Sequence, residues 1–299
     1  MNKKRLLPLA AAVFTAALIS MGCATTESTT TEDTTTETVK DISVMVPNGD
    51  HEIPVAITMP AGATKVPAVI MMHGTGSNKD EAGNGYVMLA PKMAEAGIAA
   101  VRFDFPGSGD STASYEIYSN TEAVSDADAV AAYISTLDNI DADSIGVMGW
   151  SQGGTDALIA AATGKTNYKS VLTWSGALIL SDMVTPEMRA EVAEKGYTFM
   201  QFDWRDALKL GKNWIDEADN METLSYVPQI KAPICSIHGT EDEDVPFSDS
   251  EKVQVAAANS ASKLVPIEGA DHTYLVFTGD LTVFNKLIDE TVKWFKETL

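Results

Sequence analysis

Gly149-Trp150-Ser151-Gln152-Gly153 is the segment whose residue types and spacing most directly imply chemistry. A serine flanked two residues away on each side by glycine fits a sharp turn from a strand into a helix, where the glycines relieve crowding and the hydroxyl stands clear. A serine hydroxyl is a weak nucleophile at neutral pH. Acyl transfer from it therefore needs a base, a group to orient that base, and donors for the oxyanion that forms. Of the four histidines, His272 in Gly269-Ala270-Asp271-His272-Thr273 directly follows the last strand-like run and is the candidate base. His73 and His238 each end such a run before a glycine, which suits a backbone-shaping role, and His51 beside an early turn reads as a surface residue. For the orienting acid, Glu241-Asp242-Glu243-Asp244 follows the run before the last and offers four carboxylates. The oxyanion donors fall to the backbone N–H of Gln152, next to the serine, and to that of Thr75 in His73-Gly74-Thr75-Gly76-Ser77-Asn78-Lys79.

These residues lie far apart in sequence, so the elements between them must bring them together. Residues 42–46, the turn Pro47-Asn48-Gly49-Asp50, and residues 53–59 read as an opening antiparallel hairpin. Further strands are expected at 66–72, 99–103, 144–149, 170–174, 234–238 and 263–267, with amphipathic helices at about 85–96, 121–136, 152–162, 249–257 and 281–297. This alternation is the α/β pattern of a mostly parallel sheet covered by helices on both faces. One connection breaks the rhythm: 176–231 is 56 residues long, against about 2–6 for an ordinary connection, so it reads as an inserted lid with structure of its own. Thr185 as N-cap with Pro186 behind it starts one helix that Gly196 can end, and 206–215 suggests another. Phe199, Phe202, Trp204 and Trp214 either line a pocket beneath the lid or form its own core.

Taken together, the motifs resemble the α/β-hydrolase superfamily across about residues 42–299, in the chain order Ser, Asp, His. Within it, the stretch from His73 to Asp80 and Glu81, the stretch from Arg102 through Asp104 to Ser111, and Ser151-Gln152-Gly153-Gly154 resemble the bacterial feruloyl or cinnamoyl esterases and their serine-aminopeptidase-like relatives. The resemblance implies an eight-stranded sheet with a lid between the sixth and seventh strands. It also implies a serine carboxylesterase working through an acyl-enzyme, with no cofactor and no metal. Loops of the form His-Gly-x-x-Asp with Val-Pro following place the acid four residues after the histidine. That position here is Asp242, with Asp244 in reserve and Glu241 and Glu243 as solvated charge. Asp104 and the loop to Ser111 are expected to brace the site. The sequence departs from the group at Thr75, where an aromatic residue is usual, and at Trp150, which replaces a common histidine. A peptidase or amidase on the same three residues is the alternative.

The chain carries 21 Lys+Arg against 42 Asp+Glu, a formal charge of -21 over 299 residues. Such a surface repels polyanions, so nucleic acid is excluded as a partner and a small neutral ester is expected over an anionic one. The same field should favour imidazolium and raise the His272 pKa. Lys3, Lys4 and Arg5 precede an apolar run, and Ile19-Ser20-Met21-Gly22-Cys23 resembles the lipobox of bacterial lipoproteins. That resemblance implies a signal peptide over 1–22, lipidation at Cys23 and anchorage in the cell envelope, at the outer membrane where two membranes exist. Residues 24–40, with nine threonines and four acidic residues, read as a flexible tether of about 20–25 Å reach.

Overall fold

Short apolar runs separated by amphipathic helices fold here as the alternation requires. A computed structural model describes residues 41–299; the signal, lipidation and tether expectations, Cys23 included, lie outside the described residues. The chain runs β1 (Ile42–Asn48), β2 (His51–Thr58), β3 (Val66–Met72), α1 (Gly85–Glu95), β4 (Ala99–Phe103), α2 (Asn120–Ile134), β5 (Ile140–Trp150), α3 (Gln152–Thr163) and β6 (Ser170–Trp174). An insertion follows: α4 (Pro186–Lys195), β7 (Tyr197–Met200), β8 (Leu208–Gly211) and α5 (Lys212–Asn220). The chain closes with β9 (Ile234–Gly239), α6 (Phe247–Ala256), β10 (Lys263–Ile267) and α7 (Thr282–Thr298).

Eight strands form one sheet in the order β1-β2-β4-β3-β5-β6-β9-β10. The β1–β2 and β2–β4 pairs are antiparallel and the rest parallel, which is the α/β-hydrolase fold, with the lid between the sixth and seventh strands of the sheet. Side chains alternate across a strand, and β3 divides accordingly. Ala68, Ile70 and Met72 pack with Ala123 and Val130 of α2 and Leu158 of α3. Val69 and Met71 pack with Leu89 and Met93 of α1 and Phe284 and Leu287 of α7. The buried Phe284, Leu287, Ile288, Thr291, Trp294 and Phe295 recur at helical spacing, so α7 lays one stripe on the sheet.

The lid opens as its sequence implies: Thr185 Oγ1 accepts the Met188 N–H at 3.2 Å, and Gly196 ends α4 in the left-handed region at φ 82°. The helix expected over 206–215 is corrected. Leu208–Gly211 is β8, antiparallel to β7, and α5 starts only at Lys212. Leu208 and Leu210 are both buried while Lys209 between them faces Glu116, a period of two that pairing with β7 turns into a strand. The lid aromatics divide as well: Trp214 is fully buried in the core, whereas Trp204 is 66% exposed. His51 is not a surface residue. Its side chain is buried, with Nε2 at 2.8 Å from Asp126 Oδ1, and it clamps the first hairpin to α2. No described helix is long and apolar enough to cross a membrane.

Candidate active site

The loops after β3, β5, β9 and β10 all leave the carboxyl ends of the sheet, the side on which open α/β sheets bind ligands. Ser151 sits between β5 and α3 at φ 56°, ψ -123°, a conformation that non-glycine residues rarely hold. The glycine spacing follows from contact: a Cβ on Gly149 would stand 1.9 Å from Gly153 O, and one on Gly153 would stand 2.1 Å from Met72 O. Ser151 N–H donates to Trp174 O at 2.9 Å and Ser151 O accepts from Gly154 N at 2.9 Å, which pins the turn.

His272 Nδ1 lies 2.8 Å from Asp242 Oδ2. Asp242 Oδ1 accepts the N–H groups of Asp244 at 3.0 Å and Val245 at 2.9 Å, and its Oδ2 is 3.3 Å from His238 Nε2. An ionised carboxylate only accepts, so His272 carries its proton on Nδ1 and presents Nε2 as a base. His238 Nε2 must donate to reach Val245 O at 3.0 Å, so its Nδ1 accepts from Ser250 Oγ at 2.7 Å. The sequence reading gave His238 only a backbone role and missed its place behind Asp242. Burial works against the charge on Asp242, but hydrogen bonds from His238 and His272 hold its carboxyl well below the usual range. Burial likewise pulls the His272 imidazole down, and the hydrogen bond and charge of Asp242, with Asp244 and Glu81 beyond, outweigh it and raise the pKa. Asp244, the reserve acid, is exposed and borders the cleft; the His272 ring is bonded to Asp242. Glu241 and Glu243 are exposed. Trp150 Nε1 donates to His272 O at 3.1 Å, so the residue beside Ser151 also steadies the histidine loop, a role no motif announced.

Thr75 and Gln152 come together across the turn, the Thr75 hydroxyl donating to Gln152 Oε1. Neither backbone N–H has an acceptor among the described residues. Asp104 braces the loop as expected, accepting Lys79 N at 2.7 Å, Lys79 Nζ at 2.8 Å and Asp110 N at 2.9 Å. His73 is fully buried and its pKa is lowered to about 4, chiefly by desolvation, so it stays neutral: Nε2 accepts Phe105 N at 3.1 Å and Nδ1 faces Gly74 O at 2.9 Å. The lid reaches the same loop through Arg205, whose guanidinium donates to Gly76 O.

A cleft of about 630 Å3 joins these parts, lined by Thr75, Glu81, Ser151, Trp204, His272 and Phe277 among others. Ser151 Oγ makes no hydrogen bond among the described residues, so Ser151 and His272 share the cleft without being joined. His51, Glu122 and Asp126 form one cluster with metal-ligand atoms within 4.8 Å of one another, and Asp242, Asp244 and His272 form another. In each, the ring already bonds a carboxylate at 2.8 Å. Cys235 is buried in β9 and burial pushes its thiol up to about 12, which keeps it from acting as a nucleophile.

Several known proteins are similar to this chain. The 2,6-dihydropseudooxynicotine hydrolase of Paenarthrobacter nicotinovorans is 28% identical over 220 residues, covering 74% of this chain; the match spans 56% of that relative, little more than half its length. A putative carboxymethylenebutenolidase of Synechocystis is 23% identical over 254 residues, 79% of this chain and 87% of the relative. Among solved structures, Est1E from Butyrivibrio proteoclasticus with ferulic acid bound superposes at a TM-score of 0.70 and 23% identity, over 85% of this chain and 98% of Est1E. That likeness concerns the fold. The profile of the prolyl oligopeptidase family matches residues 87–299, a span that takes in Ser151, Asp242 and His272. With most of its length covered by that profile, the chain belongs to the prolyl oligopeptidase family.

Proposed function

We propose that this chain is a serine hydrolase that cleaves carboxylic esters through an acyl-enzyme. Ser151 is the nucleophile, His272 the general base and acid, Asp242 its orienting carboxylate, and the N–H groups of Thr75 and Gln152 the oxyanion donors. The observation that carries this reading is the 2.8 Å bond from His272 to Asp242 in the same cleft as a serine held at φ 56°. In the first half-reaction Ser151 Oγ attacks the carbonyl carbon and passes its proton to His272 Nε2, which returns it to the leaving alkoxide. In the second, His272 takes a proton from water, hydroxide attacks the acyl carbon, and Ser151 leaves reprotonated with release of the carboxylic acid.

Glu81 and Asp244 border the cleft and the chain bears -21 overall, which supports a neutral ester over an anionic one. Est1E holds ferulic acid, so aryl esters are natural first substrates. The prolyl oligopeptidase family favours a second reading, a peptidase or amidase on the same three residues. Export and lipid anchorage at Cys23 rest on the N-terminal motif.

The test takes the purified full chain in detergent and its Ser151→Ala variant, with p-nitrophenyl butyrate, methyl ferulate and an aminoacyl p-nitroanilide as substrates. The expected result is ester turnover that disappears in the variant. Anilide cleavage with negligible ester turnover would move the assignment to the peptidase reading.

A further inference from the structure

Glu81 stands in the wall of the cleft in a conformation that a glutamate should not adopt. Its φ of 63° and ψ of 177° fall in a region essentially reserved for glycine, a strain of about 1–3 kcal/mol that persists only where the surroundings impose it. The residue is 8% exposed, yet it carries an ionisable group. Oε1 of its carboxylate accepts the Gly74 N–H and Oε2 accepts the Ala82 N–H at 2.8 Å; burial raises its pKa and these bonds oppose the rise. Gly74 directly precedes Thr75. The Gly74 carbonyl, which shares a peptide plane with the Thr75 N–H, accepts from Ser77 N at 3.2 Å and faces His73 Nδ1 at 2.9 Å. A trans peptide points its N–H opposite its C=O, so groups that fix Gly74 and Ser77 fix the direction of the Thr75 donor. Glu81 binds Gly74.

Glu81 and His272 line the same cleft, so the carboxylate also acts on the imidazole through its charge. We propose that Glu81 is a positioning residue for the reaction, aiming the Thr75 N–H through Gly74 and lending negative charge to the imidazole of His272. This rests on the serine hydrolase reading. The two roles differ in sign. Fixing the donor favours the oxyanion, whereas the charge favours the imidazolium formed beside it and opposes the oxyanion itself. A charge-neutral replacement should therefore change the titration of His272 more than the turnover number. Loss of the whole group should do the reverse. His272 is also faced by Asp242 and Asp244, with His238 behind Asp242, and Glu81 is faced by Tyr86; all are kept in the comparison.

The test compares the full chain with Glu81→Gln and Glu81→Ala. Gln keeps one acceptor for Gly74 and removes the charge. The acid limb of kcat/KM, and the His272 titration followed by NMR, should move down by about 0.5–1 pH unit, with kcat within about fivefold of the parent. Ala removes the support of the loop, and kcat should fall at least about thirtyfold with KM changed less than about threefold, as expected when an oxyanion donor is misplaced. An unmoved titration of His272 in Glu81→Gln, or a parental kcat in Glu81→Ala, overturns the proposal. Failure of the hydrolase reading looks different: the parent itself would turn over no ester or anilide and leave Ser151 unlabelled by a fluorophosphonate. The NMR titration needs no turnover and still decides the effect of the charge.

Discussion

Asp242→Asn probes the site where its geometry is most constrained. Asp242 Oδ1 accepts two backbone N–H groups, at 3.0 and 2.9 Å, while Oδ2 faces His272 Nδ1 at 2.8 Å and His238 Nε2 at 3.3 Å. An asparagine has one accepting end and one donating end. Backbone donors cannot turn round, whereas an imidazole can change tautomer, so the amide oxygen takes the Oδ1 position and the NH2 faces His272. Nδ1 must then accept, Nε2 carries the proton, and the ring can no longer receive one from Ser151. Holding the base in the wrong tautomer costs about 10^4 in kcat where the same exchange has been made in a serine protease, or roughly 5.4 kcal/mol at about 1.36 kcal/mol per tenfold. KM should change less than about threefold, because the lost interaction belongs to the transition state. The assay is p-nitrophenyl butyrate turnover with thermal melting beside it, and Asp244→Asn as the matched control. Asp244 is exposed, so its variant should stay within about threefold of the parent. An Asp242→Asn enzyme that keeps more than a tenth of the parental kcat, or an Asp244→Asn enzyme that is worse, would refute the assignment of the acid.

Three further outcomes are expected. His272 must be neutral to act as a base and its pKa lies above the usual 6.5, so the acid limb of kcat/KM should lie above pH 6.5; a limb below 6 would mean that burial outweighs the carboxylates. Burial raises the Asp156 carboxyl from 3.8 to about 8, so between those values the folded state holds a proton that the unfolded state has released, and this group makes stability fall as pH rises. Asp156→Asn should shrink the drop in Tm between pH 5 and pH 8, and an unchanged drop would contradict the shift. Ser151→Gly should abolish turnover while raising stability by about 1 kcal/mol, the relieved strain less the entropy of glycine, seen as a Tm higher by roughly 2–4 °C; a lower Tm would show that Ser151 is not strained.

The parts of this molecule that were legible in the sequence are those set by local rules. The elbow was readable because Gly149 and Gly153 are demanded by contacts of 1.9 and 2.1 Å that any larger residue would violate. Helix α4 was readable because Thr185, Pro186 and Gly196 act within a turn of their own position. The helix expected across 206–215 failed because β8 exists only through its pairing with β7, a tertiary contact that overrides local preference. His51 was misread for a similar reason: Asp126, its partner at 2.8 Å, lies 75 residues away. The roles of Trp150, Glu81 and His238 went unread because each acts through a hydrogen bond to another residue of the site, and a single sequence records the residue without its partner.

The acidic composition also has a structural side that a net charge of -21 conceals. Several loops that support the site are shaped by a carboxylate accepting backbone N–H groups. Glu81 takes Gly74 and Ala82, and Asp104 takes Lys79 and Asp110. Asp242 takes Asp244 and Val245, Asp271 takes Thr273 and Leu275, and Asp249 takes Leu178 at the start of the lid. Loops leaving the ends of parallel strands have no ladder to satisfy their donors, and an ionised carboxylate makes bonds to them about twice as strong as a neutral acceptor does. The site is thereby preorganised by charge as well as by packing.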